Sequence, residues 1–214
     1  MNLAQQLIKE AKEKNSKFLD LGNCGLTELP EELFELEQLE TLNLGEYYYK
    51  GDNWRELIYK IKHIADVDLF EYLGDDFIND FADDFAEAVQ KRFLPESENR
   101  GTENTIRFIP KEISKLKKLK EFYYYSDDTN NYIEFEKGID LQNLETLIVS
   151  HIEQGVSEFS HLKNLFYLYC EEVHNEIFEL ENLEALICIG NYDKLPDNMQ
   201  GLQKLELFVA YSDS

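Results

Sequence analysis

The densest group of side chains able to do chemistry is acidic. Asp75, Asp76, Asp80, Asp83, Asp84 and Glu87 fall in one short stretch, enough carboxylates to suggest a cation site. Their order does not follow an EF-hand loop, which alternates oxygen ligands around a central glycine. Phe77, Ile78, Phe81 and Phe85 are interleaved with them, so the carboxylates read as the wet face of an amphipathic helix. His63, His151, His161 and His174 stand apart, with no HExxH, CxxH or GxSxG pattern. Cys24, Cys170 and Cys188 are odd in number and widely spaced without a CxxC pair, which suits free thiols in a reducing compartment. No GxxxxGK[ST] loop is present, so nothing points to nucleotide phosphates. The expectation is a chain without catalysis, metal or cofactor.

Charge narrows the partners. With 21 basic and 44 acidic residues the formal net charge is -23, which repels phosphate backbones and anionic membrane surfaces. Nucleic acid and lipid are therefore not expected as ligands. The first residues, MNLAQQLIKEAKEKNSK, contain no uninterrupted apolar run and no small-residue cleavage site, and no apolar stretch reaches about 18 residues. A cytoplasmic location is expected.

The element that must position any site is a repeat. The segment Leu19-Asp-Leu-Gly-Asn-Cys24-Gly-Leu26-Thr-Glu-Leu29-Pro30-Glu-Glu-Leu33-Phe-Glu-Leu36-Glu-Gln-Leu39 places leucines in the order LxLxxCxLxxLPxxLxxLxxL. The leucine opening each strand recurs at Leu39, Leu119, Leu144, Leu165, Leu183 and Leu205, with Ser16 in that slot for the first repeat. From Leu119 onward the intervals are 25, 21, 18 and 22. From Leu39 to Leu119 the interval is 80, about 57 more than the first repeat's 23. The strand Leu42-Asn-Leu44 precedes that excess, and Asn104-Thr-Ile106-Arg-Phe-Ile109-Pro110 resumes the same repeat after it. Residues 46–103 are thus an insertion. Trp54, Leu57, Ile58, Ile61 and Ile64, then Phe77, Ile78, Phe81, Phe85, Val89 and Phe93, fall at spacings of three and four, so the insertion reads as two amphipathic helices.

These residues resemble the bacterial leucine-rich-repeat family with LPxxI/L turns, and especially the amino-terminal repeat region of Roco-type proteins. The phrase from Leu19 to Leu33 carries most of the likeness, which covers 1–45 and 104–214. The resemblance implies an α/β fold: a curved solenoid with a parallel sheet on its concave face, used for protein recognition. In Roco-type proteins a GTPase domain and a dimerisation domain follow the repeats, and neither is in this sequence. The insertion also departs from the plain family pattern.

Repeats of this size cannot bury their own apolar ridge and must stack on neighbours. Residues 1–15, with Leu3, Leu7, Ile8 and Ala11 at helical spacing, read as an N-terminal capping helix; 16–45 and 104–214 are the repeats. Strand residues alternate faces, which turns Leu19, Leu21, Leu42, Leu44, Phe122, Tyr124, Leu147 and Val149 inward, and places all three cysteines in core slots. The opposite, concave face carries Phe18, Asp20, Thr41, Asn43, Glu121 and Thr146, and from the third repeat onward becomes aromatic and aliphatic. Tyr123, Tyr125, Ile148, Tyr167, Tyr169, Ile187 and Tyr211 form an expected partner-binding strip, because large apolar surfaces on soluble proteins mark interaction sites and tyrosine suits them. The competing expectation is that the insertion folds back over this strip and covers it.

The functional expectation is a non-catalytic module that binds another protein through the concave face and the inserted helices. The alternative is a sensor or regulatory fragment of a larger signalling protein such as a Roco-type GTPase. A last coil ending at Ser214 without a polar closing repeat also leaves room for self-association.

Overall fold

A computed structural model describes residues 2–45, 102–125, 132–149, 151–154, 167–170, 175–189 and 201–211. The helix α1, Leu3–Glu13, starts with a capping box: the Gln5 N–H donates to the Asn2 side chain at 2.9 Å, and the Asn2 N–H donates to the Gln5 side chain at 3.2 Å. Both bonds satisfy helix-end donors that would otherwise need water. Ala4, Ile8 and Ala11 are its buried residues, and they join the same apolar cluster as the leucines of the first repeat. Leu3, expected on that face, is exposed; Ala4, one residue on, takes the buried place.

Among the described residues ten short strands follow: β1 Phe18–Asp20, β2 Thr41–Asn43, β3 Phe108–Ile109, β4 Glu121–Tyr124, β5 Tyr132–Phe135, β6 Thr146–Val149, β7 His151–Gln154, β8 Tyr167–Cys170, β9 Ala185–Ile189 and β10 Leu207–Tyr211. Seven form one sheet in the order β1-β2-β4-β6-β8-β9-β10, and β3-β5-β7 form a second, three-stranded sheet. Every pairing is parallel. Strand order follows chain order, as it must when each strand is the same position of successive repeats.

The return path of each repeat is built from its leucines. The N–H of Leu33 donates to Pro30 O, that of Leu36 to Leu33 O, and that of Leu39 to Leu36 O. The same steps recur at Pro110, Ile113, Leu116 and Leu119, and again at Ile177, Leu180 and Leu183. A leucine every third residue therefore serves twice. It closes one 3-10 turn after another, as in Glu31–Glu35, Lys111–Lys115 and Asn175–Glu179, and it points its side chain at the core. Leu33, Leu36, Leu39, Ile113, Leu116, Leu119, Ile177, Leu180 and Leu183 are all buried in one cluster.

On the sheet side the core takes Leu19 and Leu21, Leu42 and Leu44, Phe122 and Tyr124, and Leu147 and Val149, as the alternation predicts. From the second sheet it takes Ile109, Ile133, Phe135 and Ile152. Phe122 meets Phe135 across the core with ring centroids 6.2 Å apart and planes tilted by 60°, a spacing typical of favourable aromatic pairs. Cys24 is half-buried and packs against this cluster. The side chains of Cys170 and Cys188 lie outside the described ones.

The helices expected in 46–103 lie outside the described residues, apart from Thr102 and Glu103 at the end. Strand β2 pairs directly with β4 across that interval, and one side chain adds to the closure. Asn104 Nδ2 donates to Leu21 O at 2.8 Å and to Leu44 O at 2.7 Å, and the Leu26 N–H donates to Asn104 Oδ1 at 2.8 Å. The buried Asn104 thus holds the ends of two strands and the turn of the first repeat together. Gly45, where the chain leaves the repeat, lies so near Tyr125 that a Cβ there would stand 2.3 Å from its backbone N and O. Only glycine fits that approach.

Candidate functional site

The face of the seven-stranded sheet away from the core is defined by register. Asp20, Asn43, Tyr123, Ile148, Tyr169, Ile187 and Val209 are successive partners across the sheet. Phe18, Thr41, Glu121, Thr146, Tyr167, Ala185 and Leu207 form a parallel row two residues earlier in each strand. Between them runs the core-facing row that includes Leu19, Leu42, Phe122 and Leu147.

The expected strip residues thus belong to neighbouring strands in register: Tyr123 to β4, Ile148 to β6, Tyr167 and Tyr169 to β8, Ile187 to β9 and Tyr211 to β10, with Tyr125 just beyond β4. The side chains of Tyr167, Tyr169, Ile187 and Tyr211 lie outside the described ones. For the other three the expected exposure is not met. Tyr123 and Ile148 are 0% exposed and Tyr125 6%. None of the three belongs to the apolar core cluster. Period-two alternation put them on the correct face, but alternation carries no information about what lies across that face.

The polar residues of the face form two arrangements. In the first two repeats Asp20 Oδ1 accepts from the Gly22 N–H at 2.9 Å and from Asn43 Nδ2 at 2.8 Å. Asn43 Oδ1 accepts from the Gly45 N–H and its Nδ2 donates to Gly45 O, both at 3.0 Å. These bonds explain how Asp20 and Asn43 are tolerated in buried positions. One strand on, the Glu121 carboxylate accepts at Oε2 from the Thr41 hydroxyl at 3.2 Å and from the Tyr123 hydroxyl at 3.0 Å. Thr146, its partner in register, is fully buried, and its Oγ1 has no hydrogen-bond partner.

Glu121, Thr41 and Thr146 were placed on this face by the sequence but not singled out, since nothing in a strand pattern says that the Thr41 hydroxyl will donate to Glu121. Asn104 was placed where the repeat resumes after Leu42-Asn-Leu44 and the insertion, but no bonding role was assigned to it.

An open groove with a volume of about 1280 Å³ is bordered by Glu28, Glu31, Glu32, Glu35 and Glu112 with Lys115. Of these, Glu35 is held below the usual carboxylate range by its hydrogen bond from Lys12 and by that ammonium's charge. Among the described residues no group of three or more His, Cys, Asp or Glu side chains is arranged to hold a metal ion, and no helix is long and apolar enough to cross a membrane. The acidic run from Asp75 to Glu87 and the histidines other than His151 lie outside the described residues.

No protein-family profile matches the sequence, and no curated protein matches it. A solved structure of a leucine-rich-repeat protein from Leptospira interrogans is similar, with a TM-score of 0.41 and 19% identity over 92% of this chain and 50% of that one. The chain therefore spans half the length of that protein. The in-register parallel strands and the leucine-to-leucine turns are themselves those of a leucine-rich-repeat fold.

Proposed function

We propose that the chain is a non-catalytic protein-interaction module: a curved leucine-rich-repeat solenoid that binds a partner protein through its concave face and the inserted helices at 46–103. One observation carries this reading. The row Tyr123, Ile148, Tyr169, Ile187 and Val209 lies in unbroken register across five strands, and its described members, Tyr123 and Ile148, are apolar in body yet outside the core. A row that stays aromatic or aliphatic outside the cluster the repeats close among themselves suits a docking surface, where tyrosine and other large side chains carry much of the binding energy. The net charge of -23 steers the choice towards a protein partner and away from nucleic acid.

In this reading Tyr123, Tyr125 and Ile148 form the sealed floor of the docking ground, while Tyr167, Tyr169, Ile187 and Tyr211 meet the partner. The test is capture of a partner from native lysate by the intact chain beside a Tyr167→Ala, Tyr169→Ala, Tyr211→Ala variant whose circular dichroism is unchanged. A protein identified by mass spectrometry and lost only with the variant supports the surface; equal capture by both removes it from these residues.

A further inference from the structure

Five of the chain's 21 basic residues, Lys111, Lys115, Lys117, Lys118 and Lys120, fall within ten positions of a protein whose net charge is -23. They belong to the return path 111–120. The return path stacked before it, 31–40, holds five glutamates and no base, and the one stacked after it, 136–145, holds Glu136, Asp140 and Glu145 with one lysine. A basic tier thus lies between two acidic ones. Apolar residues do not mark that order: Leu33, Leu36 and Leu39 in one tier and Ile113, Leu116 and Leu119 in the next make the same turns and are all buried.

Backbone and side chains bring the opposite charges together. The Glu40 N–H donates to Lys17 O at 2.8 Å, the Lys120 N–H to Glu40 O at 2.8 Å and the Glu145 N–H to Lys120 O at 2.7 Å, so the sign alternates through successive coils. Lys17 Nζ lies 2.7 Å from Glu40 Oε1, Lys117 Nζ 3.0 Å from Asp140 Oδ2 and Lys111 Nζ 3.8 Å from Glu136 Oε1. The Glu40 carboxyl is held below its ordinary value first by the hydrogen bond from Lys17, and the charges of Lys120 and Lys118 act in the same direction. A groove of about 560 Å³ is bordered by Glu35, Glu37 and Gln38 of the first tier and by Lys115, Lys117 and Lys118 of the second.

The order of these coils is not dictated by the chain's connectivity. Leu39 and Leu119 are 80 positions apart, against 25 for Leu119 and Leu144, and closing the longer separation costs more chain entropy. An equally apolar tier, 136–145, competes for each neighbour. Stacking 31–40 directly on 136–145 would set five glutamates against three acids, and like charges in facing positions are destabilising. Charges that penalise a wrong pairing help a sequence specify one structure.

We propose that the lysines of 111–120 form an electrostatic register: they select the acidic tiers 31–40 and 136–145 as neighbours and fix the order of these coils, with a strength that falls as ionic strength rises. One exposed pair contributes little. The selection is the sum over the tier together with the repulsion that it removes. This device is separate from partner binding and does not depend on the interaction-module reading.

The test uses the full chain and urea unfolding at about 20 mM and about 1 M salt, between which the screening length falls from roughly 20 Å to roughly 3 Å. Lys115→Glu, Lys118→Glu, Lys120→Glu in one variant is compared with Lys9→Glu, Lys14→Glu, Lys204→Glu in another, which has the same net charge and an intact tier. The tier variant is expected to unfold about 0.5 M urea below the matched one at low salt, with the gap closing at high salt. Equal midpoints at low salt overturn the proposal, and so does a gap that persists at high salt, which would assign the loss to packing. A charge exchange guards against a variant that simply folds poorly. Lys117→Glu should lower the low-salt midpoint and adding Asp140→Lys should restore it; failure of the exchange to restore it also overturns the register.

Discussion

The two faces of the sheet at β4 and β6 are equally dry and are made dry by different means. Leu147 and Ile148 are adjacent in one strand, and both are buried. Leu147 belongs to the cluster that the repeats close among themselves; Ile148 does not. The same holds for Phe122 and Tyr123 in β4. Burial on the inner face is thus a property of the repeat, reproduced wherever the leucine pattern recurs. Burial on the outer face is not supplied by that cluster, and identical fractional exposure conceals that difference.

Core substitutions should separate the faces most sharply. Phe122→Ala removes a ring that packs on Phe135 and is expected to destabilise by about 4 kcal/mol, within the range for large-to-small changes in a closed core. The measurement is equilibrium urea unfolding at constant m-value. Asn104→Ala comes next. It leaves Leu21 O, Leu44 O and the Leu26 N–H without the partner they share, and unsatisfied buried groups cost about 1–3 kcal/mol each before relaxation. About 3 kcal/mol in total is expected, with the loss greater than for Asn43→Ala. Equal losses would mean that the array does not depend on Asn104 to bridge the insertion.

The adjacent pair sharpens the comparison. Leu147→Ala is expected to cost about 3 kcal/mol and Ile148→Ala about 2 kcal/mol, because Ile148 lies outside the cluster that the repeats close among themselves. Hydrogen exchange should show where each loss falls: across all strands for Leu147→Ala, and confined to β4 and β6 for Ile148→Ala. Matching exchange patterns would make the outer face a second core, continuous with the first.

The same division explains what was legible in the sequence. Leucines at fixed intervals specify both the 3-10 hydrogen bonds and the inner face, so Leu33, Leu36 and Leu39, or Phe122 and Tyr124, could be placed from spacing alone. α1 was legible to within a residue of phase: Asn2 and Gln5 announce its start, but Ala4 rather than Leu3 is buried, because a short apolar stripe leaves its rotation to the packing. The outer row was legible in register and not in exposure. For Tyr123 and Ile148 both an open and a covered strip were expected, and no local pattern decides between them; both residues are buried. Asn104 was legible as the point where the repeat resumes, but nothing in the spacing says that its side chain donates to Leu21 O and Leu44 O and accepts from the Leu26 N–H.

Beyond both faces, the rim between successive coils supplies the smallest effect. Here ion pairs step from one turn to the next: Lys12 to Glu35 at 2.5 Å, Lys17 to Glu40 at 2.7 Å and Lys117 to Asp140 at 3.0 Å. Glu35 and Glu40 are held below their ordinary value of 4.5, each first by its lysine hydrogen bond. A carboxylate with a lowered folded-state value contributes stability that is present above the unfolded value and lost as pH falls through the folded one. The window for these pairs therefore lies at and below about pH 4.5. Lys12 and Glu35 are both largely in water, where such contacts contribute little and salt screens them. Lys12→Ala should return the Glu35 titration, followed by carboxyl NMR shifts, towards 4.5 while leaving the thermal midpoint at pH 7 unmoved. A clear drop in that midpoint would mean that contacts between coils at the rim hold the array together alongside the leucine core, and the contrast between the two faces would no longer describe where its stability lies.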